Sequence, residues 1–224
     1  MSINIAIDGP AGAGKSTIAK KLAKKLQFIY VDTGAMYRAM ALFFIQQHID
    51  SENEEKINEA CERASVTIEY VHEQQRVLLN QEDVTSLLRT EEVGNMASVT
   101  SAYAAVRQKL LELQQQLAKS QNVIMDGRDI GTCVLPNADI KIFLTARVSA
   151  RAKRRFDELS AKGQICDLEK IQKDISERDD RDSNRVNSPL KQAKDAVLVD
   201  SSDMNIDEVV DTIYYIYQEK CEWK

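Results

Sequence analysis

Apolar positions along the chain switch repeatedly between a strand period and a helix period. Residues 3–7 form a short apolar run that predicts a buried strand, and residues 9–14 are rich in glycine. Ile18, Leu22, Ala23 and Leu26 then fall on one face of residues 16–26, with lysines opposite, which predicts an amphipathic helix. Residues 28–31 predict a second strand, ending at Asp32-Thr33-Gly34, and a helix follows over about 35–47. Ser51 and Glu54 have the spacing of a capping box for a helix reaching about residue 64. Val66, Ile68 and Tyr70 alternate with polar residues, and Val77 and Leu79 repeat the two-residue spacing, so residues 65–85 predict a small antiparallel patch. Helical periodicity returns over 90–118 with a break near Ser101. Apolar strands are predicted at 122–125, ending in Asp126-Gly127-Arg128-Asp129, and at 140–144. Ser149 is placed to cap a basic helix to about residue 161, and Leu168 opens a second charged helix that runs through residues 177–182. A last strand is predicted at 196–199, and Asn205 with Glu208 opens a C-terminal helix to about residue 220.

Strands that alternate with helices imply an α/β fold, here a doubly wound parallel sheet of about five strands. The chain divides into a core of residues 1–60, 93–148 and 186–224, an inserted antiparallel subdomain at 61–92, and a helical arginine-rich segment at 149–185. No internal repeat and no low-complexity linker interrupts it.

Composition narrows the function. A length of 224 residues suits one domain with an insertion, and 43% hydrophobic with 29% charged residues is ordinary for a globular chain. The net charge of −5 argues against a general binder of nucleic-acid polymers. Yet seven of the 13 arginines lie between Arg147 and Arg185. A local positive cluster on an acidic protein suits a small anionic ligand. Cys61, Cys133, Cys166 and Cys221 form no C-x-x-C pair and only two histidines are present, so reduced thiols are expected rather than a zinc site. With no basic lead-in, apolar leader or membrane-length apolar run, a cytoplasmic location is expected, away from membranes.

Gly9-Pro10-Ala11-Gly12-Ala13-Gly14-Lys15-Ser16-Thr17 matches G-x-x-x-x-G-K-[ST] in full, after a predicted strand and before a predicted helix. Backbone N–H groups of such a loop and the helix N-terminus cradle phosphates. Lys15 reaches the β- and γ-phosphates, and the Ser16 hydroxyl ligates Mg²⁺. A glycine-rich turn that matches by chance is the bland alternative, and the strand–loop–helix context speaks against it. No guanine-reading N/T-K-x-D element follows a strand, which leaves a small kinase ahead of a GTPase.

Three further clusters stand at the ends of predicted strands or on one helix face. They are Asp32 to Arg38, Asp126 to Asp129, and Arg178, Arg181, Asp182 and Arg185 at helical spacing. Taken singly, Arg38 reads equally as a surface residue, Asp126 as a helix cap, and the last run as a solvated face. Beside a phosphate-binding loop they point together to a second phosphate-bearing substrate.

The segments G-P-A-G-A-G-K-S-T, D-T-G-A-M-Y-R, R-T-E-E-V-G-N-M-A-S with a following V-R, D-G-R-D-I-G-T and E-R-D-D-R-D resemble, in order, the signature segments of the bacterial cytidylate (CMP) kinases, a family of P-loop nucleoside-monophosphate kinases. The resemblance runs along nearly the whole chain. It implies transfer of the ATP γ-phosphoryl group to CMP and dCMP with Mg²⁺, by a monomer. It implies that Arg38 and Arg128 clamp the CMP phosphate, that Ser98, Arg107 and Asp129 read cytosine, and that Asp32, Thr33 and Tyr37 line the same pocket. Arg178 and Asp182 resemble ribose contacts and Arg185 a phosphate contact. Arg151, Arg154 and Arg155 resemble lid arginines that close over the triphosphate. The catalytic group implied is Lys15, Arg38, Arg128, Arg151, Arg155 and Arg178. The chain departs from the pattern at Thr33, where serine is also common, and at Ala105, where some relatives carry a more basic or proline-containing run.

The expected reaction needs no general base, because a phosphate monoester loses its second proton near pH ~6. Catalysis then reduces to alignment and charge neutralisation, for which lysine and arginine suffice. The rivals are a P-loop kinase for AMP, dTMP or shikimate, and a regulator that binds ATP without turnover.

Overall fold

The computed structural model describes residues 2–72 and 74–221. β1 (Asn4–Asp8) is the centre of a five-stranded, all-parallel sheet with β2 (Ile29–Asp32), β6 (Val123–Gly127), β7 (Ile140–Thr145) and β8 (Val197–Asp200), in the order β2-β6-β1-β7-β8. β1 shows why the sheet is buried on both faces. Ile5 and Ile7 point to one side, Ala6 to the other, and all three are inaccessible to solvent.

On the Ile5 side pack α1 (Lys15–Leu26) and α8 (Ile206–Cys221) with Ile18, Leu22, Val209 and Ile213. On the Ala6 side pack α2 (Thr33–Gln46), α3 (Glu54–Arg63), α4 (Glu91–Thr100) and α5 (Ala104–Ser120) through Met36, Met40, Phe44, Ile57, Val93 and Leu110. Asn205 and Glu208 cap α8 reciprocally, each accepting the other's backbone N–H, as their spacing predicts.

A separate three-stranded antiparallel sheet holds β3 (Val66–Val71), β4 (Gln74–Leu79) and β5 (Glu82–Asp83). Val66 faces Leu79 and Ile68 faces Val77, so the alternating apolar residues share one face. This sheet docks on the parallel sheet at Asp32. The Gln75 side chain accepts from the Asp32 N–H at 2.8 Å and donates to its carbonyl at 3.2 Å.

Two helix starts differ from the sequence expectation. The cap of α3 is Asn53, whose side chain accepts from Lys56 N, and not Ser51. Ser51 lies two residues too early and gives its carbonyl to the Tyr103 hydroxyl. α6 (Val148–Ala161) begins before Ser149, at Arg147, whose carbonyl takes the first helical bond from Arg151 N. Ser149 therefore falls inside the first turn. α7 (Leu168–Asn184) packs beside α6, and both reach the phosphate-binding loop at Ala11, whose carbonyl accepts from Arg151 of α6 and whose N–H donates to Asp179 of α7.

Candidate active site

The glycine-rich loop leaves the C-terminal end of β1 and turns into α1. Gly9 is forced by crowding, since a Cβ there would lie 1.9 Å from the Leu144 carbonyl oxygen. Gly14 precedes the helix in the left-handed region at φ 86°, and no side chain caps α1. The first N–H groups of α1 are thus free of side-chain capping, and no acidic residue occupies the first turn to compete for an anion. Lys15 is buried, with Nζ donating to the Pro10 carbonyl at 2.7 Å.

Beside this loop, at the end of β6, Asp126 takes one hydrogen bond from Ser16 Oγ at 2.9 Å and another from the Tyr30 hydroxyl at 2.8 Å. It is not a helix cap. Ser16 Oγ and the Asp126 carboxylate converge as hard oxygen donors at the mouth of the phosphate loop. That donor set fits Mg²⁺, which takes one or two protein oxygens and completes its shell with water and substrate phosphates. Burial raises the Asp126 pKa, with nearby Asp32 adding to the effect, while Lys15, Tyr30 and Ser16 oppose it.

Positive charge is concentrated around these groups. Burial first, and then Arg128, pull the Lys15 pKa well below its ordinary value, and Arg178 adds to this while Asp126 and Asp182 oppose it. Arg178 is lowered to about 10, by burial and then by Arg128, with Arg38 and Arg181 contributing. Arg38 is also lowered, chiefly by burial. Lys15, Arg38, Arg128 and Arg178 therefore form a chain of neighbouring, repelling cations, with Asp126 and Asp182 as counter-charges and Asp32 the strongest of them for Arg38. Arg128 Nε donates to Asp182 at 2.7 Å, while Arg178 Nε is buried without a hydrogen-bond partner.

A second group lies further along. Arg107 forms an ion pair with one oxygen of Asp129, and Arg185 approaches the other oxygen at 3.5 Å. The Arg107 guanidinium also donates to the Ser101 carbonyl and lies 5.5 Å from the centre of the Tyr37 ring. Burial pushes the Tyr37 hydroxyl up to about 12. Ser98 Oγ is buried without a hydrogen-bond partner. A cavity of about 210 Å³ opens here between Tyr37, Arg107, Gln114, Asp129 and Ser188.

A sequence profile of the family described as cytidylate kinase matches residues 5–219. The chain belongs to the cytidylate kinase family. It is 48% identical over 216 residues to a cytidylate kinase of Shouchella clausii, covering 96% of each chain. It is 50% identical over 217 residues to one of Leuconostoc mesenteroides, covering 97% of each. A crystal structure of an uncharacterized protein from Eubacterium ventriosum shares the fold, with a TM-score of 0.52 at 14% identity over 98% of this chain and 99% of that one. As a member of the cytidylate kinase family, the chain is a phosphotransferase.

Within this cytidylate kinase fold, most of the sequence-predicted residues converge, but not all in the expected way. Thr33 donates to the Asp126 carbonyl at 2.7 Å. Asp32 caps α2 through Ala35 N and pairs with Arg89 at 2.5 Å, so its carboxylate is already engaged. Arg185 stands with Asp129, Ser101 and Ser188, in the same group as the expected base readers. The three arginines of α6 separate. Arg151 is buried, donates to the carbonyls of Ala11 and Ala146, and pairs with Asp179 at 2.6 Å, so it tethers the phosphate loop to α7. Arg154 holds Ser201. Arg155 is exposed and pairs on its own helix with Glu158 at 2.8 Å, and the structure does not bring it to the other site residues.

Sequence reasoning placed Asp126 in an acceptor-side cluster without giving it a role beside Ser16, and it missed Tyr30 and Asp8. Asp126 carried a readable signal, a carboxylate closing an apolar strand. Tyr30 and Asp8 did not, because their roles depend on which strands lie side by side. Asp8 accepts from the N–H groups of Ile130 and Gly131 at 2.8 and 2.7 Å. Burial nevertheless pushes its carboxyl up to about 6, the two amide bonds only partly offsetting it. Among the described residues no helix is long and apolar enough to cross a membrane.

Proposed function

We propose that this enzyme transfers the γ-phosphoryl group of ATP to CMP and to dCMP, giving ADP with CDP or dCDP. One observation carries the reading. The buried lysine of the phosphate loop and the half-buried arginines Arg128 after β6, Arg38 on α2 and Arg178 on α7 form a single crowd of mutually repelling cations. Folding such charges together is unfavourable unless a polyanion neutralises them. Two polyanions meeting there, one on each side, account for a loop lysine and acceptor arginines acting on the same space.

In this reading the α1 N-terminus and the loop amides hold the donor phosphates, and Lys15 neutralises charge on the group in transfer. Mg²⁺, held by Ser16 and Asp126, neutralises phosphate oxygens when bound. Arg38 and Arg128 hold the acceptor phosphate, whose oxygen is already deprotonated near neutral pH. Arg178 and Asp182 hold the ribose, and the unpartnered Arg178 Nε supports a donor role toward a ligand. Asp129 accepts from the exocyclic amino group of cytosine, while Arg107 and Ser98 serve its ring acceptors. The antiparallel sheet closes over the monophosphate, and α6 with α7 excludes water from the donor. The enzyme acts as a cytoplasmic monomer.

The test is an assay of ADP release with CMP, dCMP, UMP, AMP, dTMP and shikimate as acceptors. Release that depends on CMP or dCMP is expected. Release with AMP, dTMP or shikimate instead reassigns the acceptor, and no release with any acceptor reduces the chain to a nucleotide-binding regulator.

A further inference from the structure

The carboxylate that ends the central strand and the loop that carries the base-reading aspartate are joined by a pair of hydrogen bonds. Asp8 is the last residue of β1 and immediately precedes Gly9 of the phosphate loop. It is 4% exposed. Its two oxygens take separate N–H groups, Ile130 on one and Gly131 on the other, both in the residues that follow Asp129. Those residues form a single wide turn, with Val134 N bonded to the Asp129 carbonyl and Leu135 N to that of Ile130. Wide turns of this kind are rare and are frequent at functional sites.

The turn is also held by Ile130 and Val134, both buried in the core, and by Gln115, whose side chain donates to the Val134 carbonyl at 3.2 Å. Lys141 on β7 supports it from the far side, with Nζ donating to the Pro136 carbonyl at 2.6 Å and pairing with Asp195 at 2.8 Å. Its methylenes lie so close that a Cβ on Gly131 would come within 3.1 Å of them, and within 3.3 Å of an Asp8 oxygen. The backbone of Ile130 and Gly131 is thus clamped between Asp8 and Lys141. The charged neighbours that act on Asp8 are Asp129 and Lys15. Asp8 belongs to neither ion pair of Asp129, so its influence passes through the backbone and not through a shared side-chain contact.

We propose that Asp8 is a positioning residue for base selection, fixing the Ile130–Val134 turn so that Asp129 faces the acceptor base. The proposal rests on the reading of Asp129 as a base contact. It also means that the strand end which launches the donor loop sets the geometry of the acceptor pocket, so the two sites share one rigid element.

Asp8→Asn keeps the shape but offers one acceptor oxygen and an NH₂ group where two acceptors are needed, so one turn amide loses its partner. Loss of one such buried bond is worth about a tenfold change. We expect KM for CMP to rise about tenfold and the CMP-to-UMP ratio of kcat/KM to narrow by a similar factor. The dissociation constant for ATP should stay within about twofold and kcat at saturating CMP within about threefold. Gly131→Ala disturbs the same contact from the turn side without altering β1, and should give the same pattern. It decides the matter if Asp8→Asn does not fold.

The proposal is overturned if ATP affinity falls as far as CMP affinity, because Asp8 then serves the phosphate loop. It is overturned equally if CMP and UMP decline together in both variants with the ratio unchanged, because Asp8 is then only structural. Wild-type enzyme that does not discriminate CMP from UMP overturns the base-reading role of Asp129, and the proposal with it. Discrimination that is intact in wild type and undiminished in both variants overturns Asp8 alone.

Discussion

Arg128 Nε donates to a carboxylate oxygen of Asp182 at 2.7 Å, joining the end of β6 to α7. Two residues assigned to different parts of the acceptor therefore share one contact. Burial alone would raise the Asp182 pKa, but Arg128, Arg178 and Arg185 outweigh it and hold the group below the ordinary carboxylate value. Asp182→Ala should accordingly do two things. It leaves Arg128 and Arg178 without their shared counter-charge, costing about 1–3 kcal/mol of stability. It also weakens monophosphate binding, with unequal losses for CMP and dCMP because only one carries the 2′-hydroxyl. Titration of both nucleotides checks this, and equal small losses would return Asp182 to a purely structural ion pair.

Lys15→Ala should separate activity from stability. Lys15 is buried against Arg128 and Arg178, and its lowered pKa means that the folded state disfavours its charge. Removing that charge relieves repulsion, so the melting temperature should hold or rise. Transfer should nevertheless fall by at least about 100-fold, the scale of losing one oriented charge stabiliser. A folded variant with near-normal kcat contradicts the donor role of Lys15, and a variant that fails to fold contradicts the expected relief of repulsion.

The raised Asp8 carboxyl predicts a pH signature in stability. Its folded pKa is about 6 against an ordinary value of 3.8. Between those values the native state binds a proton that the unfolded chain has released. Stability from this group is thus fully present below the unfolded pKa and is lost as pH rises through about 6. Roughly two pKa units correspond to ~3 kcal/mol. Asp8→Asn lacks this term. Urea midpoints of both proteins from pH 7 down to pH 4 should show the wild type gaining on the variant as the solution becomes more acid. A wild-type midpoint that stays fixed relative to the variant's, or falls against it, would falsify the assignment.

The parallel sheet and the phosphate loop were legible because their signals are local. Apolar runs, glycines and a lysine sit at fixed spacing within a dozen residues, and the structure places them accordingly. The antiparallel patch was legible for the same reason, Val66 and Ile68, and then Val77 and Leu79, standing two residues apart. Caps were less so, because Ser51 and Asn53 are both competent and only the path of the chain selects Asn53. Residues on one helix face look alike in sequence, yet Arg151 faces the phosphate loop while Arg155 faces solvent. Asp126, Tyr30 and Ser16 meet only because β2 and β6 are neighbours and α1 begins beside them. That adjacency is a property of strand order, which no local pattern encodes.

Base choice rests on Asp129, and the structure sharpens what its replacement should do. An ionised carboxylate only accepts hydrogen bonds, so it suits the amino group of cytosine and repels the carbonyl that uracil presents there. Here Asp129 already accepts from Arg107, and Arg185 stands 3.5 Å from its other oxygen. A carboxylate has about four lone-pair sites, so these two partners leave room for a base. Asp129→Asn keeps the size, removes the charge and adds a donor. The amide can rotate to present NH₂ to uracil, which lowers the penalty against UMP. An unpaired buried polar group costs ~1–3 kcal/mol, so the CMP-to-UMP ratio of kcat/KM should narrow by about 5- to 150-fold. CMP efficiency should fall as well, because Arg107 and Arg185 lose the charge that holds them. If Asp129 only secures those arginines, both nucleotides decline together and the ratio stays fixed. Measuring kcat/KM for CMP and UMP in wild type and Asp129→Asn separates the two roles, since a loosened pair of arginines harms every pyrimidine while a lost acceptor harms cytosine alone.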